Sequence, residues 1–262
     1  MTDRLAGKKI WVTGAGGALG RATAMRLAQE GAAIANCDID QATVDETTQG
    51  IVAAGGKAVS IVGDVSDEKD CERMLEQSCT ELDGLNVLFN NAGILLPDDT
   101  GPVETPLESW NKTLAVNLTG VFLCCKYGVP ILEQSGGGSV INTASIAAQV
   151  GSAFPQVAYG ASKGGVLAMT KEMAIQYARS NIRFNALCPG PVHTKLAEVF
   201  LAGEGRWEAR QPFIPMGRLG KPEEIANMVV FLASDESSFV NGATMNVDGG
   251  ITAAYVASDM EK

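Results

Sequence analysis

Short apolar runs alternate with longer segments of helical periodicity along nearly the whole chain, and this alternation is what most restricts its fold. The apolar runs predict strands over 9–13, 33–37, 58–62, 87–90, 139–143, 183–187 and 244–247. The segments between them predict helices over 18–30, 41–54, 68–82, 107–134, 159–179 and 223–233. Apolar strands that alternate with helices form parallel sheets covered on both faces. The sequence therefore predicts an α/β fold, a doubly wound parallel sheet of about seven strands, in a single domain over 1–262.

A glycine-rich turn joins the first predicted strand to the first predicted helix. It runs from Thr13 to Gly20 and leads directly into the helix. The N–H groups and the dipole of a helix N-terminus favour a bound phosphate. Gly14 permits the tight turn, and Gly20 allows the helix to pack against the strand. This position predicts a binding site for the pyrophosphate of a dinucleotide.

Two carboxylates follow the next two strands. Asp38 lies about 20 residues past the glycines, where a carboxylate can accept hydrogen bonds from the adenosine ribose hydroxyls. The alternative is that Asp38 caps the following helix. Asp64 ends the third strand, where the protein could contact the edge of the adenine ring. Alternatively, Asp64 or Ser66 could be no more than a helix cap.

Four further residues suggest proton transfer at a carbon–oxygen bond. Tyr159 and Lys163 are four residues apart at the start of a helix, so phenol and ammonium share one face. A nearby cation favours the phenolate, which lets a tyrosine act as a base. Ser145 ends a strand and could donate to a carbonyl oxygen. Asn117 lies among apolar neighbours and is either structural or holds a water beside Lys163.

Taken together, these motifs resemble the short-chain dehydrogenase/reductase family over nearly the whole length, and in particular its NAD-preferring glucose and cyclic-alcohol dehydrogenases. The matching segments are Thr13-Gly14-xxx-Ala18-x-Gly20, Asp64-Val65, Asn90-Asn91-Ala92-Gly93, Asn117, Ser145, Tyr159-xxx-Lys163, Pro189-Gly190-Pro191-Val192-His193-Thr194 and Val247-Asp248-Gly249-Gly250. Two features depart from the family pattern. Ala18 stands where glycine is commoner, and the segment 151–157, which borders the substrate region, is slightly longer than usual.

The resemblance implies a Rossmann-type sheet and a role for each matching residue. Tyr159 would be the general acid and base, Lys163 would lower its pKa and hold the nicotinamide ribose, Ser145 would bind the substrate oxygen, and Asn117 would position a relay water. With Tyr159 and Lys163, the implied cofactor site comprises Gly14, Gly17, Ala18, Leu19, Gly20, Asp38, Asp64, Val65, Asn91, Ala92, Gly93, Pro189, Gly190, Val192 and Thr194.

These roles predict an enzyme that moves a hydride between NAD(H) and the carbinol or carbonyl carbon of a secondary alcohol or ketone. Asp38 favours NAD over NADP, and no lysine or arginine occupies positions 15, 16, 17 or 39. Arg21, just inside the first helix, is expected to turn to solvent, but it is the residue most able to upset this preference. One alternative is an NADPH-dependent 3-oxoacyl thioester reductase of the same family. Another is a non-catalytic NAD-binding scaffold, since a fold does not determine function.

The long stretch 189–221 is expected to be irregular and to form a substrate lid, since long loops in compact domains are usually functional. Its large apolar residues suggest an apolar, cyclic or aryl-bearing substrate, with Trp207 singled out as a cover; they are Leu196, Val199, Phe200, Leu201, Trp207 and Phe213. Arg206 and Arg210 could bind a carboxylate of the substrate, but we favour the expectation that both side chains face water.

Charge and composition limit the partners. A net charge of −10 disfavours nucleic acid and anionic membranes. Strand-sized apolar runs and an N-terminus without an apolar signal core predict a cytoplasmic protein that does not span a membrane. One histidine, His193, excludes a multi-histidine metal site, so no metal is expected, and the 6 cysteines are expected to be reduced. Apolar residues on helices 107–134 and 159–179, with the family resemblance, predict a homodimer or homotetramer.

Overall fold

Seven parallel strands form one sheet in the computed structural model, which describes residues 3–152, 154–195, 197, 201 and 205–254. The predicted sheet is confirmed. Its strands are β1 Lys9–Thr13, β2 Ala33–Asp38, β3 Lys57–Val62, β4 Val87–Asn90, β5 Gly138–Thr143, β6 Ile182–Pro189 and β7 Thr244–Val247. They lie in the order β3-β2-β1-β4-β5-β6-β7, and every neighbouring pair is parallel. The order reverses direction between β1 and β4, and ligands bind outside the carboxyl ends of strands at such a point.

Helices cover both faces of this sheet. They are α1 Ala18–Gln29, α2 Gln41–Ala53, α3 Glu68–Leu82, α4 Leu107–Leu114, α5 Gly120–Gln134, α6 Val157–Gln176, α7 Arg206–Arg210 and α8 Pro222–Ala233. On one face, α1, α2 and α8 enclose a core of residues such as Leu27, Val44 and Val229. On the other face, α3, α5 and α6 enclose a second core. Apolar side chains on both faces of the strands are the reason that the sheet needs two helical layers.

The helix 107–134, expected to be continuous, contains a π-helical turn at Ala115–Thr119. A π turn fits one extra residue into the helix and is common at functional sites. By length and composition, Leu107–Gln134 could cross a membrane, so the prediction that apolar runs are only strand-sized overlooked it. In this fold α5 packs against the sheet and α3, with Leu123 and Leu132 buried, as a core helix of a soluble fold does.

Other element boundaries differ from the predictions, most of them by one or two residues. Helix α6 begins at Val157, two residues before the predicted start, and ends at Gln176, where Ala178–Ser180 forms a 3₁₀ turn. The stretch 189–221 is not wholly irregular, because it contains α7 and the 3₁₀ turn Gln211–Phe213.

All six cysteines are free thiols, and five of them are buried, as the sequence predicts.

Candidate functional site

One large cavity opens at the carboxyl ends of the strands, across the point where the sheet order reverses. Its volume is about 1760 Å³, beyond the roughly 300–1,000 Å³ of a common small-molecule site. All the residues of the predicted cofactor site line it, as do Ser145, Tyr159 and Lys163. Asn117 does not. The cavity is therefore large enough for a dinucleotide together with a second molecule.

The glycine turn at one end of the cavity is too tight for side chains. Gly14 has a φ of +66°, and a Cβ on Gly20 would collide with the carbonyl oxygen of Gly14. A Cβ on Gly16 would likewise collide with the side chain of Thr43. Helix α1 begins just after Gly17, which has no side chain to cap it, so the helix N-terminus faces the cavity through backbone alone. Such a cradle fits the pyrophosphate of a dinucleotide.

Asp38 lies beside this cradle at the end of β2. Its Oδ2 accepts a hydrogen bond of 2.9 Å from the N–H of Gly16, and its Oδ1 accepts one of 3.1 Å from the N–H of Asp40. The cap of α2 is Asp40, whose Oδ1 accepts from the N–H of Thr43 at 3.0 Å. The alternative that Asp38 caps this helix is therefore wrong, and its carboxylate lines the cavity.

The carboxylate of Asp64 belongs to a turn. Its Oδ1 accepts from the N–H and the hydroxyl of Ser66, at 2.8 and 2.7 Å. The cap of α3 is Asp67, which accepts from the N–H of Asp70 at 2.9 Å, so neither Asp64 nor Ser66 has that role. Asp64 and Val65 line the cavity.

Arg21 does not simply turn to solvent, as expected, since it lies on the cavity wall and forms an ion pair with Glu46. The prediction failed because Glu46 belongs to another helix, α2, which sequence spacing does not place beside Arg21.

The end of β4 is fastened to the end of β1. The hydroxyl of Thr13 accepts hydrogen bonds from the N–H groups of Asn91 and Ala92, at 2.9 and 3.0 Å. The side chain of Asn91 donates back to the carbonyl oxygen of Thr13 at 3.0 Å. At Gly93, a Cβ would come within 3.4 Å of both the Asn117 amide oxygen and the Lys163 ammonium. The backbone here runs close to the catalytic candidates, where a side chain would intrude.

Tyr159, Lys163 and Ser145 meet at the other end of the cavity. Lys163 is buried, and its Nζ donates to the carbonyl oxygen of Thr143 at 2.7 Å. The same Nζ lies 5.7 Å from the centre of the Tyr159 ring. The one-face arrangement expected from the four-residue spacing is confirmed. A phenol, an ammonium and a serine hydroxyl can together bind an oxygen atom and exchange a proton with it.

Burial dominates the electrostatics of this group. It raises the pKa of Tyr159 above its ordinary value, although the hydrogen bond from Ser145 opposes the rise. Burial also lowers the pKa of Lys163 to about 8. The expected lowering of the tyrosine pKa by Lys163 is therefore not the net effect in the protein alone. Burial therefore keeps Tyr159 protonated at neutral pH, and additional positive charge in the cavity would favour its ionisation.

Asn117 occupies the π turn and is fully buried. Its amide oxygen accepts from the N–H of Ile94 at 2.8 Å, and its amide nitrogen donates to the Ile94 carbonyl and the Ser162 hydroxyl, at 2.9 and 3.2 Å. The side chain thus joins the loop after β4 to the first turns of α6. Both amide N–H donors of Asn117 are therefore in use, so a water held by this residue would donate to one of its two oxygen atoms.

Asp99 is a site residue that the sequence analysis missed. It is buried in the loop after β4 and accepts hydrogen bonds from the N–H groups of Ala158 and Tyr159, at 2.9 and 2.8 Å. Gln156, which precedes the helix, makes no such bond, so Asp99 serves as the cap of α6. Nothing local signals this role, because the loop and the helix are 59 residues apart along the chain.

Replacing Asp99 by alanine is expected to destabilise the protein and misplace Tyr159. Two N–H groups at the start of α6 would lose a charged acceptor, at a cost of about 1–3 kcal/mol in the free energy of unfolding. Denaturant unfolding of Asp99→Ala measures this loss. The exposed neighbour Asp98, whose carboxylate accepts from the Ser109 hydroxyl, provides the control Asp98→Ala. Equal stability of the two variants would contradict the capping role.

The 189–221 stretch supplies a wall of the cavity, but among the described residues Phe213 is the one of the expected large apolar residues that lines it. Arg210, Phe213 and Ile214 line it, whereas Leu201 and Trp207 are half-buried elsewhere. Trp207 is therefore not the cover that its size suggested. Leu196, Val199 and Phe200 lie outside the described residues. The orientation of a side chain in an unpatterned segment depends on a backbone path that sequence periodicity does not reveal.

Arg210 does not face water, contrary to the favoured expectation. Its guanidinium carbon lies 4.6 Å from the centre of the Phe154 ring, and that of Arg206 lies 4.9 Å from the same ring. Burial and the neighbouring Arg206 charge lower the pKa of Arg210 to about 10, so it remains a cation at neutral pH. Phe154, Ile146 and Val150 line the cavity nearby, so this part combines apolar side chains with the Arg210 cation.

The comparisons with known proteins agree with this geometry. The family model described as enoyl-(acyl carrier protein) reductase matches residues 14–252. The chain belongs to the short-chain dehydrogenase/reductase family. It is an oxidoreductase of that family, whose members bind a nicotinamide cofactor.

Relatives of this short-chain dehydrogenase/reductase act on different substrates. It is 37% identical to the cyclohexanol dehydrogenase of Acinetobacter sp. (strain SE19), over 96% of this chain and 98% of that protein. It is 38% identical to the cis-4-hydroxycyclohexanecarboxylate dehydrogenase of Sinomonas cyclohexanicum, over 97% of this chain and 100% of that protein. The solved structure of levodione reductase superposes with a TM-score of 0.90. The two chains are 35% identical, over 96% of this chain and 100% of that chain.

Other relatives leave the choice of cofactor open. The chain is 38% identical to the 3-oxoacyl-[acyl-carrier-protein] reductase of Thermotoga maritima, over 95% of this chain and 99% of that protein. A solved relative from Beutenbergia cavernae holds NADP at low occupancy. It superposes with a TM-score of 0.90 and is 32% identical, over 97% of this chain and 100% of that chain.

Proposed function

We propose that this short-chain dehydrogenase/reductase oxidises a cyclic secondary alcohol to the ketone, or carries out the reverse reduction, with NAD as cofactor. The observation that supports this most is the set of residues that line the large cavity. A phosphate cradle with Asp38 lies at one end, and Tyr159, Lys163 and Ser145 lie at the other. Relatives named for cyclohexanol and a hydroxycyclohexanecarboxylate support the cyclic substrate.

The chain's own residues bind and orient the reactants and move one proton. The bound nicotinamide supplies the hydride acceptor or donor. Ser145 donates a hydrogen bond to the substrate oxygen, while Tyr159 gives a proton to that oxygen in reduction and removes it in oxidation. Lys163 holds the nicotinamide ribose and adds positive charge beside the phenol. Asn117 positions the loop and helix around them and holds a relay water through one of its oxygen atoms.

The remaining proposed contacts hold the cofactor. The turn from Gly14 to Gly20 binds the pyrophosphate, and Asp38 binds the adenosine ribose. Asp64 and Val65 meet the adenine. The other proposed contacts line the nicotinamide half; they are Asn91, Ala92, Gly93, Pro189, Gly190, Val192 and Thr194. The segment 189–221 serves as the substrate lid, and the protein works in the cytoplasm.

A panel of alcohols with NAD, followed by the absorbance of NADH, tests the proposal. Cyclic secondary alcohols should give NADH, whereas matched tertiary alcohols, which have no carbinol hydrogen, should give none. Faster turnover of 3-oxoacyl thioesters with NADPH than of any cyclic alcohol with NAD would favour the reductase alternative. Binding of NAD without turnover of any substrate would favour the scaffold alternative.

Arg210 supports a second proposal, which is that the cyclic substrate carries a carboxylate. Arg210→Met should raise KM for a carboxylate-bearing cyclic alcohol by about fivefold, the value of a partly exposed ion pair, and leave KM for cyclohexanol nearly unchanged. Arg206→Met is the matched control, because Arg206 stacks on the same ring but does not line the cavity. Equal KM changes for charged and neutral alcohols would show that Arg210 acts only through packing.

A homodimer or homotetramer formed through α5 and α6 remains our proposal for the assembly. Several residues on which it was based, such as Val121 and Cys125, are buried in the core of the protein itself. Phe122 and Ile175 are exposed, however, with exposed fractions of 49% and 81%. Light scattering should therefore show a dimer or tetramer at micromolar concentration, and a stable monomer would contradict the proposal.

A further inference from the structure

Arg21 and Glu46 form a two-pronged ion pair on the cavity wall. Arg21 lies in the first turn of α1, immediately after Gly20, and Glu46 lies on α2. The two guanidinium Nη atoms contact the two carboxylate oxygens at 2.6 and 2.7 Å. Both residues line the cavity, so the pair borders the space that we assign to the cofactor.

The pair lies on the same rim of the cavity as Asp38. One Nη of Arg21 also reaches the carbonyl oxygen of Thr43, at 3.4 Å. The Thr43 side chain packs so closely against Gly16 that a Cβ there would collide with it. The N–H of Gly16 in turn donates to Asp38 at 2.9 Å. A continuous set of contacts thus links the Arg21 cation to the carboxylate proposed to bind the adenosine ribose.

Glu46 determines where the Arg21 charge is directed. The Arg21 hydrogen bonds lower the pKa of Glu46, so the carboxylate is charged at neutral pH. The Nε of Arg21 is buried and has no hydrogen-bond partner among the described residues, which leaves Glu46 as the main anchor of the guanidinium. Glu46 is largely exposed, and exposed ion pairs contribute little to stability. The pair can therefore open without unfolding the protein.

A guanidinium binds a phosphate with the same two-pronged geometry that it uses for a carboxylate. We propose that Glu46 is a specificity-determining residue of the cofactor site, because it holds Arg21 away from a phosphate on the adenosine 2′ oxygen. This inference rests on the proposed dinucleotide site. In this arrangement Asp38 repels the 2′-phosphate directly, and Glu46 withholds the cation that would otherwise attract it.

Binding of NAD⁺ and NADP⁺ to Glu46→Gln, measured by titration calorimetry, tests the role of Glu46. The glutamine keeps the size of the side chain and removes its charge. Affinity for NADP⁺ should rise about fivefold, the value of a partly exposed ion pair, while affinity for NAD⁺ changes less than about twofold. Adding Arg21→Gln to this variant should abolish the gain. Asp45→Asn removes the same charge from the same helix, where Asp45 bonds to Ser60 and Gln41, and is the control.

An equal change in the ratio of NADP⁺ to NAD⁺ affinity in Glu46→Gln and Asp45→Asn would overturn the role of Glu46. So would a gain that survives Arg21→Gln. A wild-type protein that binds neither dinucleotide would instead overturn the proposed function on which the inference rests. These results are distinguishable because the first two require a protein that binds at least one of the cofactors.

Discussion

Tyr159→Phe should lose most of its turnover and keep its fold and its cofactor affinity. The phenylalanine fills the same space, but no proton can pass to or from the substrate oxygen. General acid–base catalysis contributes about 10²–10⁴-fold, which sets the expected loss in kcat. Steady-state kinetics with a cyclic alcohol measure it, and titration with NAD shows whether the cofactor site is intact.

Tyr177→Phe is the matched control, because Tyr177 packs against Phe184 and does not line the cavity. The pH dependence adds a second test. Because burial raises the pKa of Tyr159, ketone reduction should be supported at neutral and lower pH, whereas alcohol oxidation should increase as the pH rises. Near-normal kcat in Tyr159→Phe would show that another group transfers the proton.

The wild-type protein should prefer NAD to NADP by about tenfold or more, owing to Asp38. A hydrogen bond from the ribose hydroxyl to a carboxylate contributes roughly 1.5–3 kcal/mol, and a 2′-phosphate would replace this attraction with repulsion. The structure adds that Asp38 also accepts from the N–H of Gly16, so Asp38→Ala would disturb the glycine turn as well. Asp38→Asn disturbs the turn less, since its amide oxygen can still accept from Gly16, although its amide nitrogen then replaces the oxygen that accepts from the N–H of Asp40.

Asp38→Asn should weaken NAD binding, relieve the repulsion of NADP and reduce the preference in kcat/KM. Asp40→Asn is the control, because Asp40 carries the same charge two residues away and asparagine is an equally good helix cap. A wild-type protein with higher kcat/KM for NADP would overturn the ribose assignment of Asp38 and favour the NADPH-dependent reductase.

The features that could be predicted from the sequence are those set by local pattern. Strand-sized apolar runs locate β1 and β4 to the residue, because burial on both faces leaves a continuous apolar signal. The glycine turn is equally visible, since Gly14 and Gly20 meet steric limits that no other residue satisfies. A four-residue spacing on a helix likewise places Tyr159 and Lys163 together.

The features that could not be predicted depend on partners distant in the chain. Asp99 caps a helix that begins 58 residues later, and Glu46 redirects Arg21 from another helix. The π turn at Ala115–Thr119 leaves the apolar pattern of its helix almost unchanged, so periodicity does not reveal it. The direction of the Tyr159 pKa shift depends on how deeply α6 is buried, which the Tyr–Lys spacing alone does not state.

Transfer of deuterium from the carbinol carbon of a labelled cyclic alcohol tests the proposed function most directly. Cyclohexanol deuterated at that carbon is incubated with NAD and the protein, and the reduced cofactor is analysed by mass spectrometry. We expect one deuterium in each NADH formed, with slower turnover than for the unlabelled alcohol, and loss of this transfer in Tyr159→Phe. NADH without deuterium, or bound NAD that is never reduced by any cyclic alcohol, would contradict hydride transfer from a secondary alcohol at this site.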